Sequence, residues 1–286
     1  MKRYIIILLA TLTFGVAHAQ EFKKLWEVSS LEAPESVVFD KKNKRYIVSN
    51  VAGQPAEKNG QGYLSIVDTN GKVTHQKWAT GFNAPKGLGI HGQQLYVADI
   101  DVVSVVDLKS GKVVKQYKAE GATFLNDVEV AKDGTVYITD TFGGNAIYKI
   151  SKGDISLWVK DEKLNYPNGL KIKGKEIYVA SWGVVTNAET FGTEVPGVLL
   201  AINLSDKSIR QVTSPTGNLD GLQVMDNKFL VSDWIAGGLM TIDANGEVKE
   251  VQDLNAGSAD ILLLQKQNIL LVPQMLDGKL IAYEVQ

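Results

Sequence analysis

A unit of two short apolar strands flanking a polar turn recurs six times, and this recurrence restricts the fold more than any single motif does. Segments VVFDKKNKRYIVSN, LGIHGQQLYVADI, VEVAKDGTVYITD, LKIKGKEIYVASW, LQVMDNKFLVSD and ILLLQKQNILLVP begin at residues 37, 88, 128, 170, 222 and 261. A third strand follows in each unit: YLSIVD, VVSVVD, AIYKIS, GVLLAIN, GLMTID and KLIAYEV. Successive starts lie 51, 40, 42, 52 and 39 residues apart, the span of a small antiparallel sheet with its loops. Sheets this small cannot bury their faces alone. The expected architecture is therefore all-β, a six-bladed β-propeller packed radially around a channel. A β-helix or an open stack of sheets is the competitor, but irregular spacing and turns such as DTNGK, DLKSGK and DANGE favour antiparallel blades.

Closing the ring requires the chain ends to meet. Only KLIAYEVQ follows the sixth unit, whereas earlier units carry a further strand such as KVTHQKWA or KVVKQYKA. Residues 22–28, FKKLWEV, have that strand's pattern but precede the first unit, so the N-terminal strand is expected to close the last blade. Residues 20–286 then form one closed domain, and a closed ring with no open sheet edge makes a monomer the default.

The first 19 residues read separately. Lys2 and Arg3 precede IIILLATLTFGV, and Ala17-His18-Ala19 supplies a small-x-small cleavage pattern, so residues 1–19 are expected to be a signal peptide. The apolar run is too short for stable membrane insertion, and the expected location is exported, periplasmic or secreted. A structured first strand is the bland alternative. With no cysteine in the chain, stability must come from the core and ring closure rather than disulfides. Loss of Lys2 and Arg3 leaves 28 basic residues against 32 acidic ones. Only Arg45 and Arg210 remain among the arginines and no basic block exists, which argues against nucleic acid as a partner and for a small-molecule substrate or ligand.

Equivalent positions in the six units hold Glu35, Lys86, Asn126, Asn168, Asp220 and Ala259, each followed by a small or acidic residue. A propeller gathers residues just before its innermost strands at one mouth of the channel. Glu35, Asn126, Asn168 and Asp220 then give two carboxylates and two amide carbonyls, an all-oxygen set suited to a hard divalent metal. Ca2+ is the first choice because it tolerates irregular geometry, with Mg2+, Mn2+ and Zn2+ as the other candidates. Turn formation is the competing explanation for Asn168 and Asp220, both of which precede glycine, but it does not account for Glu35.

Taken with these motifs, residues from about 25 to 286 resemble the gluconolactonase, regucalcin (senescence marker protein) and luciferin-regenerating enzyme group of calcium-dependent six-bladed propellers. The family's metal ligands, a Glu, two Asn and an Asp, match Glu35 in APESVVF, Asn126 in FLNDVEV, Asn168 in YPNGLKI and Asp220 in NLDGLQV. The resemblance implies metal-dependent hydrolysis of a lactone or related cyclic ester, with Asp220 as ligand or as the base that activates water. It also implies a substrate-contacting Arg two residues before the first ligand Asn, where this chain has Phe124. The alternative is a non-catalytic, metal-stabilised propeller that binds a small molecule or a protein.

Other candidates surround this ring. Strand ends at Asn50, Asp99, Asp140, Ser181, Asp233 and Pro273 form a second ring, in which Asp99, Asp140 and Asp233 either contact substrate and support the ligands or accept backbone hydrogen bonds. Asp127 either orients a ligand or satisfies buried donors. Lys86 either receives a carboxylate or phosphate of a substrate or reaches out to solvent. Phe142, Trp182 and Trp234 follow second strands and either stack on a ligand or pack. Segment 183–196 lacks strand alternation and is expected to be a loop, a candidate lid. Neither His75 nor His91 sits in a catalytic setting.

Overall fold

A computed structural model describes residues 21–185, 187 and 191–286, so the expected signal peptide lies outside the described residues. The strands form six four-stranded antiparallel sheets arranged as propeller blades, with inner strands Pro34–Asp40, Pro85–His91, Leu125–Val130, Pro167–Lys173, Leu219–Met225 and Leu262–Leu264. Three of these begin with proline, which is tolerated at a strand's first residue because no ladder hydrogen bond is lost there.

The N-terminal strand closes the last blade as expected: Phe22–Val28 pairs antiparallel with Lys279–Val285. Between the inner strands of the first and last blades, the Asp260 amide donates to the Glu35 carbonyl at 3.0 Å.

The core is divided into six main slices, one between each pair of neighbouring blades, and a small seventh cluster of Val51, Ala84 and Ile100. Alternation along a strand assigns its residues to two slices. Ile47 packs toward the second blade with Leu64, Leu88 and Leu95, while Tyr46 and Val48 pack toward the last blade with Leu271 and Leu280. Because both faces of a blade are covered, the second strands read as continuous apolar runs rather than alternating ones.

Segment 183–196 departs from the expected irregular loop. Gly183–Val185 pairs with Thr193–Pro196 as a two-stranded ribbon projecting from the fourth blade. Asn218 anchors its base, donating from Nδ2 to the Trp182 carbonyl at 2.9 Å and to Thr193 Oγ1 at 3.2 Å.

Each of the first five inner strands carries a β-bulge at the same place. Pairing jumps from Pro34↔Asn50 to Val37↔Val48, so Glu35 and Ser36 oppose Ser49 alone. Equivalent jumps set Lys86 and Gly87 against Ala98, Asn126 and Asp127 against Thr139, Asn168 and Gly169 against Ala180, and Asp220 and Gly221 against Ser232. Bulges re-aim side chains and end regular pairing. The gathered residues therefore lie within the inner strands, one position after the strand start, rather than before them.

Hydroxyls complete three of these bulges. Ser49, Thr139 and Ser232 accept the amides of Ser36, Asp127 and Gly221 at 2.9 Å each. Where alanine stands opposite, the second bulge residue is glycine, and a Cβ on Gly87 or Gly169 would overlap the backbone of the next blade.

Candidate functional site

Bulge positions of the first five blades turn inward at one end of the channel. Glu35, Lys86, Asn126, Asn168 and Asp220 form the floor of a cup of about 320 Å3, and each is at least nine-tenths buried. Ala259, the sixth member of the ring, is buried but does not line the cup.

Hydrogen bonding on this floor leaves oxygens unused. Asn126 donates from Nδ2 to Asn168 Oδ1 at 2.6 Å and to Thr141 Oγ1 at 3.1 Å. Thr141 in turn donates to the Pro167 carbonyl at 2.7 Å, so its oxygen must accept from Asn126, which fixes the orientation of that amide. Asn126 Oδ1 and Glu35 Oε2 are then buried without a partner. Such atoms are rare in folded proteins because each pays a desolvation cost with no return.

Electrostatics points the same way. Burial, the carboxylates of Asp220 and Asp260, and that of Asp127 push Glu35 well above the usual carboxyl range, against an opposing effect of Lys86. Burial, followed by Asp127 and Asp233, does the same to Asp220, with Asn168 beside it working the other way. Two crowded carboxyls and two orphan oxygens fit a hard divalent cation, which would replace the protons and satisfy the oxygens together. Among the described residues no group of three or more His, Cys, Asp or Glu is gathered for a metal, so a cation here would rest on Glu35, Asp220, Asn126 and Asn168.

Lys86 neither reaches solvent nor stands free. It is 2% exposed, with Nζ 4.3 Å from the centroid of the Phe124 ring and 3.2 Å from the Ala84 carbonyl. Burial pushes its ammonium down to about 8, against the favourable charges of Glu35 and Asp99.

Aromatic rings make the wall above the floor. Phe142 meets Phe124 at 4.8 Å and Trp182 at 5.6 Å edge-on and Phe191 at 5.0 Å in a tilted contact, and Trp182 lies 5.7 Å from Trp234. All five line the cup, so Phe142, Trp182 and Trp234 both pack and present surface to a ligand. Phe191 was not among the sequence candidates. Its place in a stretch without periodicity hid it, although an aromatic in the longest inter-strand segment was the available signal.

The second ring serves the backbone. Asp99 accepts from the amides of Asn83 and Ala84 at 2.9 and 2.8 Å, and Asp233 from those of Asn218, Ile235 and Ala236. Asp140 accepts from Phe124 at 2.7 Å and Thr123 at 3.3 Å, while its Oδ2 is buried and unpaired. Burial raises all three carboxyls, and these amides oppose the rise. They clamp the connections that enter the inner strands, and none lines the cup.

Asp127 points down the channel, away from the cup. It accepts from the amides of Val128 and Leu170 at 2.7 and 2.6 Å and lines a lower cavity of about 210 Å3 with Lys171, Glu129 and Asp260. Burial raises its carboxyl to about 6, against those two amides.

Fold and site together define a six-bladed propeller with a buried, oxygen-rich floor beneath an aromatic cup. No family model matches the chain, and no curated protein matches it in sequence. Solved structures do. A gluconolactonase of Xanthomonas campestris superposes with a TM-score of 0.70 at 16% identity, over 92% of this chain and 89% of that one. A streptogramin B lyase follows with a TM-score of 0.63 at 11% identity, over 94% and 98%. A virginiamycin B lyase of Staphylococcus aureus, in a catalytically inactive histidine-to-alanine form with quinupristin, gives 0.62 at 12% identity, over 93% and 98%. These likenesses establish the propeller fold, and gluconolactonase is among the neighbours, in accord with the resemblance carried by the four ligand motifs.

Proposed function

We propose that the protein is an exported, metal-dependent hydrolase of a lactone or related cyclic ester. The observation that carries this reading is the pair of buried, unpartnered oxygens, Glu35 Oε2 and Asn126 Oδ1, on a cup floor shared with Asp220 and Asn168. Likeness to a gluconolactonase structure adds support for the substrate class.

Glu35, Asn126, Asn168 and Asp220 would hold the cation. A divalent ion supplies Lewis acidity toward a carbonyl oxygen and charge stabilisation for the alkoxide that develops. The chain's own groups do the rest. Ionised Asp220 takes a proton from the attacking water as its oxygen bonds to the carbonyl carbon. The ring C–O bond breaks, and that proton passes to the departing ring oxygen, which leaves a hydroxy acid. Lys86, held close to Glu35, offsets part of the negative charge of the floor. Thr141 holds the Asn126 amide with its oxygen unspent. The aromatic wall keeps bulk water from the floor, which strengthens every polar contact there.

The lyase neighbours raise a second chemistry. The virginiamycin B lyase is inactivated by replacing a histidine. His75 and His91 of this chain are both exposed, and no described cup residue is a histidine, which favours hydrolysis over a histidine-dependent elimination.

Metal-free protein supplied separately with Ca2+, Mg2+, Mn2+ or Zn2+ should hydrolyse members of a varied lactone panel, and Asp220→Asn should abolish that turnover. Cation binding without turnover on any lactone would instead assign the fold to a metal-stabilised binding protein.

A further inference from the structure

We infer that the cup takes a neutral ligand with an apolar or aromatic ring and rejects polyhydroxylated and anionic lactones. This rests on reading the cup as the substrate site of the proposed hydrolase.

The wall chemistry carries the first part. Above the floor, Gln54 and the indole N–H of Trp234 are the described lining groups left to offer hydrogen bonds to a ligand, and no wall side chain is charged. The Trp182 indole N–H is already spent on the Phe191 carbonyl at 3.0 Å. A polyol ring carries a hydroxyl on nearly every carbon, and each one buried without a partner opposes binding. An aromatic ring instead finds faces and edges of its own kind, at the centroid spacings the wall already uses among its members.

The floor carries the second part. Lys86 is the one cation of the described lining, and the Phe124 ring, the Ala84 carbonyl and the nearby Glu35 carboxylate already hold its ammonium. An anionic group would have to draw Lys86 off these partners, and the charge of a divalent cation on the floor would already be matched by Glu35 and Asp220. Replacing that engagement in a desolvated site gives no net attraction.

The wall is also built at a conformational cost. Phe191 has φ of 56°, a left-handed backbone that a bulky residue adopts only when its surroundings hold it. Packing of its ring on Phe142 at 5.0 Å and the hydrogen bond from Trp182 hold it, and both place an aromatic ring over the cup. At about 320 Å3 the cup is at the small end of ligand sites, which suits one or two fused rings rather than an extended chain.

The test uses uncleavable lactams, so that binding is read apart from turnover. Calorimetry on the purified protein compares dihydroquinolinone, the lactam counterpart of dihydrocoumarin, with its ring-carboxylated derivative and with gluconolactam. Dihydroquinolinone should bind at least about tenfold more tightly than either. Trp234→Ala should lose about tenfold of that affinity and Trp234→Phe should restore most of it. Equal or tighter binding of gluconolactam or the carboxylate, or no binding of dihydroquinolinone, overturns the inference. The comparison on the unaltered protein decides this even where Trp234→Ala fails to fold. Selective binding of dihydroquinolinone without hydrolysis of any lactone would remove the hydrolase reading and leave the ligand class standing. Faster turnover of gluconolactone than of dihydrocoumarin would do the reverse.

Discussion

Asn126 spends its Nδ2 on Asn168 Oδ1, 2.6 Å away in the next blade, and so leaves its own Oδ1 buried without a partner beside Glu35 and Asp220. The floor thus has an excess of oxygen lone pairs and of negative charge, with too few donors to satisfy either. This imbalance separates a cation site from a structural polar network, in which donors and acceptors are matched.

Removing one carboxylate should therefore weaken cation binding without weakening the metal-free fold. Asp220→Asn is expected to lower Ca2+ affinity by about tenfold or more, because one of two anionic ligands is lost. The metal-free variant should melt no lower than wild type at neutral pH, since a crowded buried carboxyl has been neutralised. Scanning calorimetry with and without Ca2+ reads both effects, because a cation that binds only the folded state raises Tm. An unchanged Ca2+-induced rise in Asp220→Asn would remove Asp220 from the site.

Thr141 acts through Asn126. Its hydroxyl accepts from the Asn126 amide and donates to Pro167, which keeps Asn126 Oδ1 turned toward the cup. Thr141→Val keeps the shape and removes both bonds. Cation affinity should fall about tenfold, the usual effect of losing a group that orients a ligand, while Thr141→Ser should restore it. Titration calorimetry of the two variants decides the matter: equal losses in both would indicate a packing defect rather than an orienting hydroxyl.

Blade architecture was legible in the sequence because the unit of apolar strand, polar turn and apolar strand recurs six times, and the unpaired pattern of residues 22–28 told which blade lacked a strand. The common register of Glu35, Asn126, Asn168 and Asp220 was legible too. Their bulge was not, because it is defined by a single opposing residue on the next strand, such as Ser49 or Thr139, and pairing counts are a property of two strands together. For Lys86 the sequence left solvent and substrate open, and the structure removes solvent by turning its ammonium inward to the cup floor, against a Phe124 face that comes from another blade. Asp99, Asp140 and Asp233 stood for site or scaffold. The amides they accept are set by how each connection enters its inner strand, which no local pattern encodes.

The first two blades are tied together by Arg45, and this tie is sensitive to pH. Its Nε donates to Asp40 at 2.9 Å, its Nη2 to the Leu108 carbonyl at 2.6 Å, and its guanidinium lies 4.8 Å from the Trp78 ring centroid. Burial by itself would raise Asp40, but hydrogen bonds from Asn43 and Arg45 outweigh it and hold the carboxyl below its ordinary value. A carboxyl depressed in the folded state contributes stability above its unfolded pKa of about 3.9, and loses it as pH falls through the lower folded value. Arg45→Ala should cost about 3 kcal/mol at pH near 6, because Asp40 is left buried without its cation. The difference from wild type should shrink at pH near 3. Urea unfolding at the two pH values measures it, and a pH-independent difference would assign the loss to packing on Trp78 alone.

Gly169 links blade packing to the site. It is the second residue of the fourth blade's bulge, and a Cβ built there would overlap the carbonyl oxygen of Asp220 in the fifth blade. That oxygen belongs to the backbone, so the strain cannot be relieved by turning a side chain. Gly169→Ala should cost about 1–3 kcal/mol, as overpacking in a filled interior does. Relief must come from displacing the fifth inner strand at Asp220, so cation affinity should fall along with stability although no ligand has been changed. Unfolding by denaturant and Ca2+ titration of the same variant test the coupling. A loss of stability with wild-type affinity would mean that the fourth blade yields instead, and that the position of Asp220 is fixed by the bond between Gly221 and Ser232 rather than by contact with its neighbour.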